Sequence, residues 1–155
     1  MTFRPRIDRI APALRFARAE AGTAMTEALL AVPVLTLLAI AILEFGVLFL
    51  ERQAVQTGVK DAARYLSRCL PDSGRCSLAV ARNIAFFGTL DGTGGLRLRG
   101  WSGDGALVLV SALPPADGIL RLEGRFAHTG SPLIGVLNLP ALSITYPHAE
   151  RWSGW

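Results

Sequence analysis

Between Ala28 and Leu50 the sequence reads ALLAVPVLTLLAIAILEFGVLFL, a run broken by a single charge, Glu44. As a helix this run is about 34 Å long, enough to cross the hydrocarbon core of a bilayer. It is too long for the apolar core of a cleaved secretory signal, about 7–15 residues, and the following ERQAVQTG holds no Ala-x-Ala site. The run therefore predicts a membrane span, and everything else in the chain has to be arranged around it. Before it, Met1–Ala21 carries Arg4, Arg6, Arg9, Arg15 and Arg18 against Asp8 and Glu20. Arginines at one end of a first span hold that end in the cytoplasm. The C-terminal part is then expected outside, in the periplasm where the envelope has two membranes. The chain as a whole is +4, so its basic character belongs largely to this leader. With Lys60 as the only lysine and no basic patch interleaved with aromatics, nucleic acid is not an expected partner.

Glu27 stands at the inner edge of the span, and a charge within a membrane helix costs about 2.5–3.5 kcal/mol, less near an end. Gly22, then a glutamate five residues on, then the apolar run: this arrangement resembles that of a prepilin. It implies cleavage after Gly22 and a new amino group on Thr23. That ammonium, on a neighbouring subunit, is a natural partner for the Glu27 carboxylate; a glutamate that merely snorkels to the headgroups is the simpler alternative. Glu44 lies about 25 Å further along the helix, near the outer interface with Glu51 just beyond. It either snorkels or pairs with a partner protein. Pro33 inside the run predicts a kink, or a local opening that lets subunits repack.

Helical periodicity continues beyond the span. Val55, Val59, Ala62 or Ala63, and Leu66 share a stripe, while Glu51, Arg52, Lys60, Asp61, Arg64 and Arg68 fall elsewhere. One helix from about Thr26 to Ser67 is predicted, apolar all round in its first half and amphipathic in its second. Gly58 should weaken it by about 1 kcal/mol relative to alanine. Leu78, Ala81 and Ile84–Ala85 predict a second helix that stops at Gly88. Runs at Leu96–Trp101, Ala106–Leu113, Ile119–His128 and Ala141–Tyr146 read as strands of an antiparallel sheet with one wet face, and Pro114–Gly118 as a turn. The expected fold class is α+β and pilin-like. A long transmembrane and amphipathic helix packs on a small outer domain containing a second helix and an antiparallel sheet. The expected organisation is a cytoplasmic leader 1–22, a transmembrane helix 23–50 and a periplasmic domain 51–155.

Gly22 and Glu27, Val32-Pro33, Glu44-Phe45-Gly46, Gln53-Ala54-Val55-Gln56 and Asp61-Ala62-Ala63-Arg64-Tyr65 together resemble the TadE-like family, pseudopilins of bacterial tight-adherence (Flp-type) pilus systems. The tail PLIGVLNLPALSITYPHAERWSGW resembles the family's closing strand. The resemblance implies processing by a prepilin peptidase and a role in pilus assembly, with membrane lipid, other pilin or pseudopilin subunits and the assembly machinery as partners. It implies residence in the bacterial inner (cytoplasmic) membrane as a single-pass protein. Ala28 stands where family members often carry an aromatic, and the chain is longer than the major Flp pilin; both point to a minor subunit. An uncleaved, membrane-anchored periplasmic accessory or binding protein is the competing reading.

Cys69 and Cys76 enclose a short Pro/Gly-containing loop, and in an oxidising compartment a disulfide is the leading reading over free thiols. Metal binding would need further ligands, and only His128 and His148 are available. Those histidines have no nucleophile at motif spacing, Ser102 and Ser131 lack the context of a nucleophile elbow, and the glycine-rich GTLDGTGG lacks a phosphate-loop ending. Neither catalysis nor a cofactor is expected. Arg97, Arg99, Arg121 and Arg125 could form a basic face on the sheet. Phe126, Pro132–Ile134, Trp152 and Trp155 are apolar enough to touch membrane or partner.

Overall fold

The computed structural model describes residues 11–70, 76–128 and 140–154, with side chains described from Gly22 onward. The first helix, α1, runs from Ala11 to Ser67, 57 residues without interruption. Its far end coincides with the sequence expectation, but it begins well before Thr26. The leader explains this: ALRFARAEA is rich in good helix formers, and Pro12 sits in the first turn, where its missing N–H costs nothing. By compactness the chain divides into two units, one ending at Leu43 and one starting at Glu44.

In the first unit, side chains from Gly22 to Leu43 are exposed on every face of the helix, with Ile40 alone half-buried. A helix apolar all round has no preferred inner face, so no intramolecular core can form on it. The helix passes through Pro33, which has no N–H to give the Leu29 carbonyl. Close by, the Thr36 hydroxyl bonds the Val32 carbonyl at 2.7 Å.

The second unit has a core. From α1 it takes Val55, Val59, Ala62, Ala63 and Leu66, the stripe that the periodicity predicts. The second helix, α2 (Leu78–Phe87), adds Ala81, Ala85 and Phe86. Ser77 caps its start, accepting from the Ala79 N–H, and Gly88 ends it in the left-handed conformation, as expected from the sequence. The disulfide Cys69–Cys76, with Cα atoms 5.4 Å apart, closes the connection between the two helices. Three antiparallel strands follow in the order β1 (Leu107–Leu109), β2 (Ile119–His128), β3 (Leu142–Arg151). The register between β2 and β3 is unbroken, from Ile119 opposite Arg151 to His128 opposite Leu142. The α+β class and the long helix are therefore present as expected.

Two glycines let α1 come close to its neighbours. A side chain at Gly58 would strike the Ala85 carbonyl and the Trp101 ring. One at Gly124 would strike Val59 and Val55. The helix-propensity cost of Gly58 is thus offset by contact with α2 and Trp101.

The strand expectations need correction in three places. Leu96–Trp101 is not a strand. Its alternation has another origin: Arg97 pairs with Asp61 at 2.7 Å, while Leu98 and Trp101 turn in to the core. Trp101 stands edge-on to Phe86 at 5.0 Å. Its indole N–H donates to the carbonyls of Arg125 at 3.1 Å and Ala106 at 3.3 Å. The run Ala106–Leu113 shrinks to β1, and Ala141–Tyr146 becomes the longer β3. β3 continues through Pro147 because it lies at the sheet edge, where a missing N–H is tolerated. Beyond it, the Ser153 N–H and hydroxyl reach the Ser67 carbonyl at 3.0 and 3.1 Å and satisfy the last turn of α1.

Candidate functional site

The residues singled out in the sequence fall into two groups. Gly22, Thr23, Glu27 and Pro33 lie in the first unit. Gly22 and Thr23 are inside α1, where the Thr26 hydroxyl bonds the carbonyls of Thr23 at 2.8 Å and Gly22 at 3.3 Å. The bond between them is therefore helical. Glu27 projects from an exposed position, and among the described residues it has no ion-pair partner. Exposed Leu29, Leu30, Val32, Val34 and Leu35 surround it along the helix.

Glu44 belongs to the second unit and is not left to snorkel. His128, the last residue of β2, is 3% exposed and sits between two carboxylates of α1. Its Nε2 is 3.3 Å from Glu44 Oε1, and its Nδ1 meets Glu51 Oε2. Glu44 and Glu51 are seven residues apart, two helical turns, so both project from the same face as Val55 and Val59. Even-numbered residues of β2 face that stripe, Leu120 and Leu122 among them, and His128 is the last of the series. Both glutamate side chains are mostly buried, 17% and 16% exposed. A neutral imidazole offers one donor and one acceptor. With a carboxylate at each nitrogen, the ring either carries both protons or one glutamate keeps its own. The clasp thus gives a carboxylate that falls within the apolar run a partner from within the chain. Read in the sequence alone, His128 presents itself only as a metal ligand or base. The signal that points to the clasp is an acid within the apolar run, a second acid two turns on, and a histidine ending an alternating strand.

The remaining candidates disperse. Arg97, Arg121 and Arg125 pair with Asp61, Asp117 and Glu123, so these three do not combine into a free basic face. His148 lies 3.1 Å from Glu150 and stacks on Tyr146. Phe126 packs against the core and Trp152 is half-buried. Ser131, Pro132–Ile134 and Trp155 lie outside the described residues.

Residues 22–64 match the family model described as TadE-like protein. The matched segment contains Gly22, Glu27, Pro33, Glu44, Glu51 and Gly58, that is, the apolar run, the helix half of the clasp and the close-approach glycine. The TadE-like resemblance read in the sequence is borne out for this segment. No curated protein and no solved structure matches the chain.

Proposed function

We propose that the chain is a minor pilin or pseudopilin acting in the assembly of a tight-adherence (Flp, type IV-like) pilus. The observation that carries this reading is the helix surface from Gly22 to Leu43. It is apolar and exposed on all faces, begins near Glu27, which has no ion-pair partner among the described residues, and lies within the TadE-like match. A surface of this kind is covered by lipid before assembly and by like helices after it. In this reading residues 23–50 span the inner (cytoplasmic) membrane, residues 1–22 face the cytoplasm and 51–155 the periplasm. The role is structural, with no catalysis and no cofactor.

A prepilin peptidase would cut after Gly22 and leave an ammonium on Thr23. Pairing of that group with Glu27 of a neighbouring subunit sets an axial stagger of about 6 Å, the rise of four residues. Glu27 is suited to this because Glu44, the other carboxylate of the apolar segment, is already held by His128. The outer clasp leaves one charge free to specify the contact.

The test is the mature N-terminus. Protein extracted from its native membrane should begin at Thr23, and Gly22→Arg should leave it full length. Glu27→Gln should keep insertion and cleavage but lose cross-linking between subunits through Leu29→Cys. A wild-type protein that begins upstream of Thr23 would overturn the reading. One observation favours the alternative, an uncleaved anchored accessory protein: α1 runs unbroken through Gly22 and Thr23, so cleavage requires local unwinding. Glycine at that position lowers the cost of unwinding by about 1 kcal/mol relative to alanine.

A further inference from the structure

We infer that the groove between α1 and the start of β3 holds an outer-leaflet phospholipid, its acyl chain against Phe45 and Phe49 and its phosphate at Arg52. This rests on the reading of Ala28–Leu50 as a membrane span. The groove, about 360 Å³, is lined by Phe45, Leu48, Phe49 and Arg52 on the helix, and by Leu142–Thr145 on the strand. The four helix residues follow helical spacing and form one ridge about 10 Å long. The ridge is graded. Phe45 and Phe49 are 76% and 57% exposed, and Leu142 opposite them is 49% exposed. Water would be a poor neighbour for this much apolar surface.

Arg52 is the first cation after the apolar run ends at Leu50. It is exposed, and among the described residues it has no carboxylate or hydrogen-bond partner, unlike Arg97, Arg121 and Arg125. Its planar fork fits a phosphodiester in two parallel hydrogen bonds. Ser143 and Thr145 line the same groove, and residues of this type can add donors to a headgroup. The sequence order along α1, aromatic and aliphatic before Leu50 and cationic after it, is the order of acyl chain and phosphate in an outer leaflet. The clasp sets the wall opposite, because Leu142 is the register partner of His128. Lipid therefore covers the near end of the sheet as well as the helix, and the second unit is docked on the membrane at that end.

The experiment uses the full chain in liposomes containing lipids brominated on the acyl chain, with an environment-sensitive dye on a single introduced thiol. A dye at Leu142→Cys should be quenched, as should one at Leu35→Cys within the span. A dye at Ile119→Cys, at the other end of β2 about 30 Å away, should not be. Arg52→Gln should reduce the phospholipid retained by the detergent-extracted protein about tenfold, the lower end of what a charge-assisted hydrogen bond supplies. Inorganic phosphate at millimolar concentration should not displace that lipid. Quenching at Leu35→Cys without quenching at Leu142→Cys would overturn the groove assignment and leave the span intact. Loss of quenching at both would overturn the span reading itself. Unchanged lipid retention in Arg52→Gln, or displacement by inorganic phosphate, would remove the assignment of Arg52 to a lipid phosphate.

Discussion

The helix α1 obeys two different rules along its length. From Gly22 to Leu43 nearly every side chain is exposed, and the residues are almost all apolar. From Glu44 to Ser67 the helix is mixed in composition, and one stripe of it is fully buried under α2, Trp101 and β2. Average hydrophobicity therefore runs opposite to burial. The more apolar half is the one with no protein around it, so its stability has to come from lipid or from other chains. The less apolar half is stabilised by its own core. What separates them is pattern: a stripe can be covered by one sheet, and an apolar cylinder cannot.

The most direct way to break this comparison is to delete large side chains from each half. Trp101→Ala removes the ring that fills the space between α1, α2 and β2, and should destabilise the second unit by about 3–5 kcal/mol. Leu35→Ala removes an exposed side chain and should leave that unit's unfolding midpoint unchanged. Denaturant unfolding of the full chain in micelles, followed by near-ultraviolet circular dichroism, reads both. Equal effects would mean that the span is packed within the monomer after all.

The clasp comes next. His128→Leu leaves Glu44 and Glu51 mostly buried without the ring that both of them meet, and should cost about 3 kcal/mol. Adding Glu44→Gln and Glu51→Gln to that variant should recover part of the loss, because neutral amides bury more cheaply than carboxylates. A stability indistinguishable from wild type in His128→Leu would show that the carboxylates find water or headgroups instead.

How far the sequence reveals these features follows from range. Periodicity is local, so the stripe Val55–Leu66, the stop at Gly88 and the strand Ile119–His128 are all legible. The near end of α1 is not legible from the apolar run, because the leader is charged and owes its helix to the propensity of Ala, Leu, Arg and Glu alone. The LRLR alternation misleads because it comes from the Asp61–Arg97 pair and from Trp101, partners many residues away. The clasp joins Glu44 to a histidine 84 residues later, and no local rule announces such a meeting. Glu27 is easier to read, because it stands at the edge of the apolar run and among the described residues has no ion-pair partner.

Glycines give a finer comparison. A side chain at Gly46 would meet nothing within 4 Å, whereas one at Gly58 would strike the Ala85 carbonyl and the Trp101 ring. Alanine gains about 1 kcal/mol over glycine in a helix interior. Gly46→Ala should therefore stabilise slightly. Gly58→Ala should destabilise by about 1–2 kcal/mol, overpacking outweighing propensity. The same denaturation assay decides it. If both variants stabilise, α1 can move away from α2 at little cost.

The smallest effect expected is acid sensitivity confined to the second unit. The Arg121 guanidinium, 2.6 Å from the Asp117 carboxylate, holds it below the usual carboxylate range, and the Ile119 N–H adds to this. The Thr93 hydroxyl and N–H act likewise on Asp91. A carboxyl group whose folded pKa is depressed binds protons less readily folded than unfolded. Its contribution is complete above the unfolded value and is lost as pH falls through the folded one, here below about pH 4. Wild type should therefore lose stability more steeply than Asp117→Asn between pH 5 and pH 3, and the two curves should converge at the acid end. Both carboxylates are exposed, so salt should shrink the difference. Parallel curves for the two proteins would show that the Arg121 contact contributes nothing in solution.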